Sequence, residues 1–194
     1  MIKPFPLLFL FVVIANNAFA QIKKGQFLLG GSIRFESTKS DYPPYFAYKS
    51  NNIFISPDIG YFIINKLAGG LRIDFSSSNS KLDTTGSHST SMTFSPFIRY
   101  YLLPVPKKVN AFADVSYVQT ETKWRNYNGG PYYGHSKGFQ ISAGPSIFLT
   151  DQIALEFIFA FRHIIPFERA RLNTFSTGLG LQVHFGKNQT KKIT

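Results

Sequence analysis

No cysteine occurs anywhere in the 194 residues, which excludes a disulfide framework, a lipid-modified cysteine and a cysteine-pair metal site. Charged side chains are scarce as well. They make up 16% of the chain, against about 25% in ordinary soluble domains. No stretch after Ala20 is long and apolar enough to cross a membrane as a helix. The chain also lacks an HExxH zinc signature, a Walker phosphate loop and a GxSxG nucleophile elbow, so no familiar catalytic motif is in view.

What the chain does have is apolar and aromatic residues, interrupted at short intervals. Hydrophobic residues are 44% of the total, and 21 are Phe. One longer run stands at the start: Lys3, then "PFPLLFLFVVIA" from Pro4 to Ala15, then small residues at Ala18 and Ala20. This is the form of a cleavable secretory signal peptide over 1–20, with the mature chain starting at Gln21. The remaining 174 of the 194 residues suit one domain. A domain of this size without cysteines must be held by a core, or by a medium other than water.

The rest of the chain alternates. In "NTFSTGLGLQVHFGK", Phe175, Thr177, Leu179, Leu181, Val183 and Phe185 fall in one phase, and Ser176, Gly178, Gly180, Gln182 and His184 in the other. This is the period of a β-strand with two unlike faces. Seven further segments behave the same way, beginning near Phe27, Ile53, Leu67, Met92, Val109, Phe139 and Ile153. Eight strands let both termini of a closed barrel lie on one side. Pro57, Pro96 and Pro145 recur in related contexts ("SPDIGYFI", "SPFIRYYLL", "GPSIFL"), and proline within a strand predicts a bulge or an edge-like position. The turns at Asn65–Lys66, Pro104–Lys108 and Thr150–Gln152 are short. The connections Thr38–Asn52, Ser76–Ser91, Val118–Lys137 and Ile164–Leu172 read as long loops.

The faces decide the surroundings. One phase carries Arg34, Glu36, Asp58, Arg72, Asp74, Arg99, Asp114, Glu156 and Arg162, which are four bases and five acids. The other carries rows such as Phe157, Phe159 and Phe161. A barrel in water would put the greasy face inside. A barrel in lipid turns it outward and fills a narrow lumen with the polar phase. Closure then leaves no unpaired backbone edge in hydrocarbon. The glycines opposite Leu179 and Leu181 fit a lumen crowded by longer neighbours. The expected fold is therefore an all-β, eight-stranded antiparallel up-and-down transmembrane barrel over 21–187, followed by a basic tail over 188–194.

The leader ending "NNAFA", the eight alternating segments and the last strand "GLGLQVHF", which ends on Phe185, resemble the small eight-stranded outer-membrane barrels of Gram-negative bacteria. These form the OmpA/OmpX-like outer membrane protein β-barrel domain. The resemblance covers nearly all of the mature chain and implies Sec export to the outer membrane. Nine residues, "GKNQTKKIT", follow Phe185, where many members of that group stop at the aromatic.

The candidate functional residues follow from this placement. The nine charges of the lumen phase could line a conducting path, but in so narrow a barrel they read better as an ion-pair network. "SDYPPYFAYK" and "KWRNYNGGPYYGHSK" are rich in aromatics, and Tyr45, Trp124, Tyr132 and Tyr133 are candidates for recognition of a sugar or protein ligand. The same residues could instead extend an aromatic girdle. The net charge of +11 on an exported chain favours an anionic membrane surface or lipopolysaccharide over nucleic acid as partner, with Arg125, Arg169 and Arg171 near the outer rim. Lys107, Lys108, Lys187, Lys191 and Lys192 form a basic fringe at the other end. His88, in "SHSTS", and His135 raise the alternative of a lipid-modifying enzyme, which would need a hydroxyl and an acid beside the His. A narrow pore is a second alternative. The expected role is structural or interactive through the outer loops, in a monomer with no catalytic site, cofactor or metal.

Overall fold

A computed structural model describes residues 22–42, 46–82, 85–104, 108–126, 132–166 and 172–186. For 37–42, 46–51, 79–82, 85–87, 124–126, 132, 166 and 172 it describes the backbone alone. The expected leader and tail lie outside these residues. Eight strands follow one another: β1 Phe27–Tyr42, β2 Phe46–Ile64, β3 Leu67–Leu82, β4 Thr85–Tyr101, β5 Val109–Asn126, β6 Tyr132–Phe148, β7 Ile153–Pro166 and β8 Leu172–Phe185. Each pairs antiparallel with the next, and β8 returns to β1 to close the barrel.

Alternation assigns the faces as expected. Large apolar residues of the greasy phase stand exposed on the outside, from Leu181 at 36% to Phe175 at 79%. The opposite phase is buried, and it includes Arg34, Asp58, Arg72, Asp74, Arg99, Asp114 and Glu156. In water this arrangement would be untenable, because apolar area costs about 25 cal/mol per Å² when left wet. In hydrocarbon the same surface is at home.

The strands are longer than the apolar segments that reveal them. β1 and β2 stay paired up to Tyr42 and Phe46, β3 and β4 up to Leu82 and Thr85, and β5 and β6 up to Trp124 and Tyr132. The expected long loops over Thr38–Asn52, Ser76–Ser91 and Val118–Lys137 are therefore mostly tall hairpins. Their sequence lacks an apolar phase because both faces of the strand stand above the membrane, so alternation could not mark them. The crown is not closed all round. β1 pairs with β8 only over Phe27–Phe35 against Thr177–Phe185, although both strands continue beyond.

The three prolines make no bulge. Each pairs normally with the preceding strand: Gly31 faces Pro57, Leu71 faces Pro96 and Ala111 faces Pro145. On the other side the ladder skips two residues and resumes in the same register, from Ile55–Phe75 to Asp58–Arg72 in the first case. The same gap recurs from Phe94–Gln119 to Phe97–Ser116 and from Ala143–Phe159 to Ser146–Glu156. A residue without an N–H can serve as ladder partner on one side only.

At the end carrying the short turns, Ile22–Gln26 folds beneath the barrel. Gly25 N donates to Phe62 O at 2.9 Å and Lys66 N to Ile22 O at 3.2 Å. Lys66 ends the tight turn in the left-handed region, with φ of 69°. Ile22, 2% exposed, joins Leu28, Phe62, Tyr101 and Phe112 in an apolar cluster inside the lumen.

Candidate functional site

Neighbouring strands place complementary side chains opposite one another. Asp58 faces Arg72 across β2 and β3, Arg99 faces Asp114 across β4 and β5, and Gln140 faces Arg162 across β6 and β7. From these rows two buried clusters form. In the lower one Arg72 Nε lies 3.6 Å from Asp58 Oδ2, while its Nη2 reaches Asp114 Oδ2 at 3.1 Å. Arg99 Nη2 reaches the same oxygen at 2.9 Å, and its Nη1 crosses to Glu156 Oε2 at 3.0 Å. In the upper cluster Asp74 accepts from Arg34 at 2.9 Å and from Arg162 at 2.8 Å. Gln140 Oε1 accepts from both of these arginines, each at 2.9 Å.

Eight of the nine sequence candidates are thus brought together, four arginines with four carboxylates, so the clusters are neutral as a whole. The ninth, Glu36, is not in the ion-paired set. It is half-buried and accepts from Asn52, its cross-strand neighbour, at 3.1 Å. Burying charges is costly, and only close pairing with further hydrogen bonds offsets that cost. Here the guanidinium faces are covered too. Arg34 and Arg162 lie over the Phe54 ring at 5.2 and 5.3 Å, and Arg72 and Arg99 lie over Phe97 at 4.9 and 5.6 Å.

Below the charges lies an aromatic floor that composition alone does not announce. Tyr101 donates to Glu156 Oε1 at 3.2 Å. With its one proton directed there, the Tyr101 hydroxyl oxygen accepts from His184 Nε2 at 3.3 Å. Phe62, Tyr101 and Phe148 ring the His184 imidazole with centroids 5.4 to 5.6 Å away. Phe54, Phe62, Phe97, Tyr101 and Phe112 escape a reading that looks for charge alone. Their signal was positional: each shares the phase of the charges on its own strand.

The other candidates are dispersed. Tyr45, Arg169, Arg171, Lys107, Lys187, Lys191 and Lys192 lie outside the described residues. Trp124 faces Tyr132 within the ladder, so both stand on strands and not in a loop. Tyr133 is 61% exposed, with Lys123 Nζ 5.5 Å from its ring. His88 faces Arg125 across β4 and β5. His135 Nδ1 lies 3.8 Å from Glu121 Oε1, both on the outer surface. His163 Nδ1 lies 2.6 Å from Asn173 Oδ1. Among the described residues no three His, Cys, Asp or Glu side chains gather as metal ligands would.

A closed antiparallel barrel with an apolar exterior, a charge-paired interior and short turns on the side of the termini is a transmembrane barrel of the outer-membrane class. The chain belongs to the outer membrane protein beta-barrel domain family, whose model matches residues 5–185. It is accordingly an outer-membrane protein of the Gram-negative envelope. No curated protein matches the sequence. Among solved structures it is similar to the outer membrane protein OprG from Pseudomonas aeruginosa, at 10% identity and a TM-score of 0.65, over 88% of this chain and 100% of that one. It is also similar to the N-terminal β-barrel domain of OprF from Pseudomonas aeruginosa, at 11% identity and a TM-score of 0.51, over 84% and 98%. Neisserial surface protein A stands at 16% identity and a TM-score of 0.51, also over 84% and 98%. At such identities the likeness is one of fold.

Proposed function

We propose that the protein is a closed, non-enzymatic barrel whose role at the cell surface is structural or interactive, exerted through its extracellular hairpins. The observation that carries this reading is the filled lumen. A run of ion pairs from Asp58 through Arg72, Asp114 and Arg99 to Glu156 crosses the interior with each residue at most 5% exposed. The Tyr101, Phe62 and Phe112 cluster lies below it. A solute would have to break buried pairs to pass, at roughly 3–5 kcal/mol for each partner lost. The crown is what such a barrel offers the outside. Purified protein in planar bilayers is the test: no steady conductance is expected, and large reproducible open steps would transfer the protein to the narrow-pore reading.

One observation speaks for a lipid-modifying enzyme, namely the His135–Glu121 pair on the outer surface. Acyl transfer needs a nucleophile beside such a base. The residues two before and two after His135 in the same phase are Tyr133 and Lys137, and the nearer Ser136 falls in the opposite phase. The pair supplies a base and an acid, and neither same-phase neighbour of His135 on β6 is a serine or threonine.

A further inference from the structure

Burial inside the barrel ends at a definite level. Going outward along the lumen phase, Arg34 gives way to half-buried Glu36 on β1, Asp74 to Ser76 on β3, Thr93 to Ser91 on β4 and Gln140 to Gly138 on β6. Above that level the described side chains of this phase are mostly hydroxyls: Ser76, Ser78, Ser91, Thr122, Ser136 and Ser176. All six are half-buried, as the lining of a well open at its mouth must be. The outward phase at the same height is charged, with Glu121, Lys123 and Lys137. The polarity inside is therefore of a different kind from that outside. Hydroxyls pair along the wall, Ser91 with Thr122 at 2.9 Å and Thr93 with Thr120 at 2.7 Å. Each pair uses one proton between its two oxygens and keeps one O–H to offer a ligand.

The floor of the well is the upper ion cluster, and by itself it is unbalanced. Arg34 and Arg162 share the carboxylate of Asp74, and the acid that offsets the second arginine belongs to the lower cluster. Arg34 is 3% exposed, whereas the Arg162 side chain is 12% exposed. Arg162 Nε donates to Gln140 and Nη2 to Asp74. Its Nη1 meets no acceptor among the described residues and is not buried, so it keeps N–H donors for a solute. Half-buried Thr174 faces Arg162 across β7 and β8. Glu36, the carboxylate of the described wall, is on β1 and accepts from Asn52. A guanidinium edge below and hydroxyls around suit a carboxylate that carries hydroxyls of its own. An eight-stranded barrel has room for one small ligand where its lumen side chains are short. We propose that this well binds a small polyhydroxy carboxylate, a sugar acid, with the carboxylate on Arg162 Nη1 and the hydroxyls on Thr174 and the serines and threonines of the wall. The association is reversible and involves no covalent step. The proposal rests on the closed-lumen reading, which supplies the floor, and gives the barrel a solute that enters from outside and does not pass.

The test titrates the protein in phosphatidylcholine nanodiscs with glucuronate, glucose and acetate, and reads affinity by ligand-observed NMR. Glucose lacks the carboxylate and acetate lacks the hydroxyls. Glucuronate is expected to bind saturably and about tenfold more tightly than either, the worth of one charge-assisted hydrogen bond. Arg162→Gln should lower glucuronate affinity by about the same factor and abolish its advantage over glucose. Lys137→Gln, on the outward phase, should change nothing. If Arg162→Gln fails to fold, Thr174→Val, which keeps the side-chain shape, takes its place, with an expected loss of about threefold for one neutral hydrogen bond. Unchanged affinity in the variant used would overturn the proposal, as would glucose or acetate binding as tightly as glucuronate. The closed-barrel reading is judged separately. An open barrel is exposed by its conductance whatever the titration shows, and a silent barrel that ignores glucuronate ends the sugar-acid proposal alone.

Discussion

Arg99 on β4 donates to both carboxylate oxygens of Glu156 on β7, at 3.0 and 3.4 Å, although the two strands are not neighbours in the wall. The contact spans the lumen and ties opposite sides of the barrel together. Asp114 holds the same guanidinium at 2.9 Å from the adjoining strand. The interior is thus braced by charge, where a water-soluble barrel of this size would be braced by apolar packing.

That bracing predicts unequal costs. Arg99→Met leaves Glu156 buried without its cation and should destabilise by roughly 3–5 kcal/mol. Glu156→Gln should cost less, because Arg99 keeps Asp114. The double variant Arg99→Met with Glu156→Leu should be more stable than Arg99→Met alone. Urea unfolding in lipid vesicles reads all three, with Glu156→Leu alone closing the cycle, and strictly additive losses of the two single variants in the double would show that the pair is not coupled.

The face assignment predicts a contrast between adjacent residues. Leu181 is 36% exposed on the outside, whereas Gln182 is fully buried and donates to Asp58 Oδ2 at 3.2 Å. Leu181→Arg places a charge against lipid, at about 2–4 kcal/mol near mid-depth. Gln182→Lys should cost less despite tight packing, because Asp58 Oδ1 has no hydrogen-bond partner and the carboxylate can receive the new cation. The same unfolding experiment decides it, and the reverse order would put the greasy face inside.

Gly69 and Gly70 give a second adjacent contrast. A Cβ on Gly70, inside the barrel, would run into the Ile59 carbonyl and the Gly60 backbone, which cannot move aside. A Cβ on Gly69, outside, would meet only the Ile63 Cδ1 at 3.2 Å, the far end of a flexible side chain. Gly70→Ala should therefore cost about 1–3 kcal/mol through overpacking, and Gly69→Ala close to nothing. Equal melting behaviour of the two variants would contradict the tight pairing of β2 with β3.

The enzyme alternative has its own test. Purified protein incubated with phospholipid or lipopolysaccharide is expected to release no fatty acid, and His135→Asn should change nothing. Release that is abolished in His135→Asn would establish the His135–Glu121 pair as catalytic and end the non-enzymatic reading.

Much of the fold was legible in the residue order, because lipid imposes a strict period. A strand between hydrocarbon and a polar lumen must alternate, so "TFSTGLGLQVHF" declares both its conformation and its faces. The phase also gathered the charges, since Arg72, Asp58, Arg99 and Asp114 had nowhere to go but inward. What the residue order could not supply was anything decided between strands. Above the membrane the lipid constraint ends, alternation fades, and the hairpins from Thr38 to Asn52 and from Val118 to Lys137 look like loops until their ladders are seen. Which arginine meets which carboxylate depends on register and on reach across the lumen, as in Arg99 with Glu156 or Arg34 with Asp74.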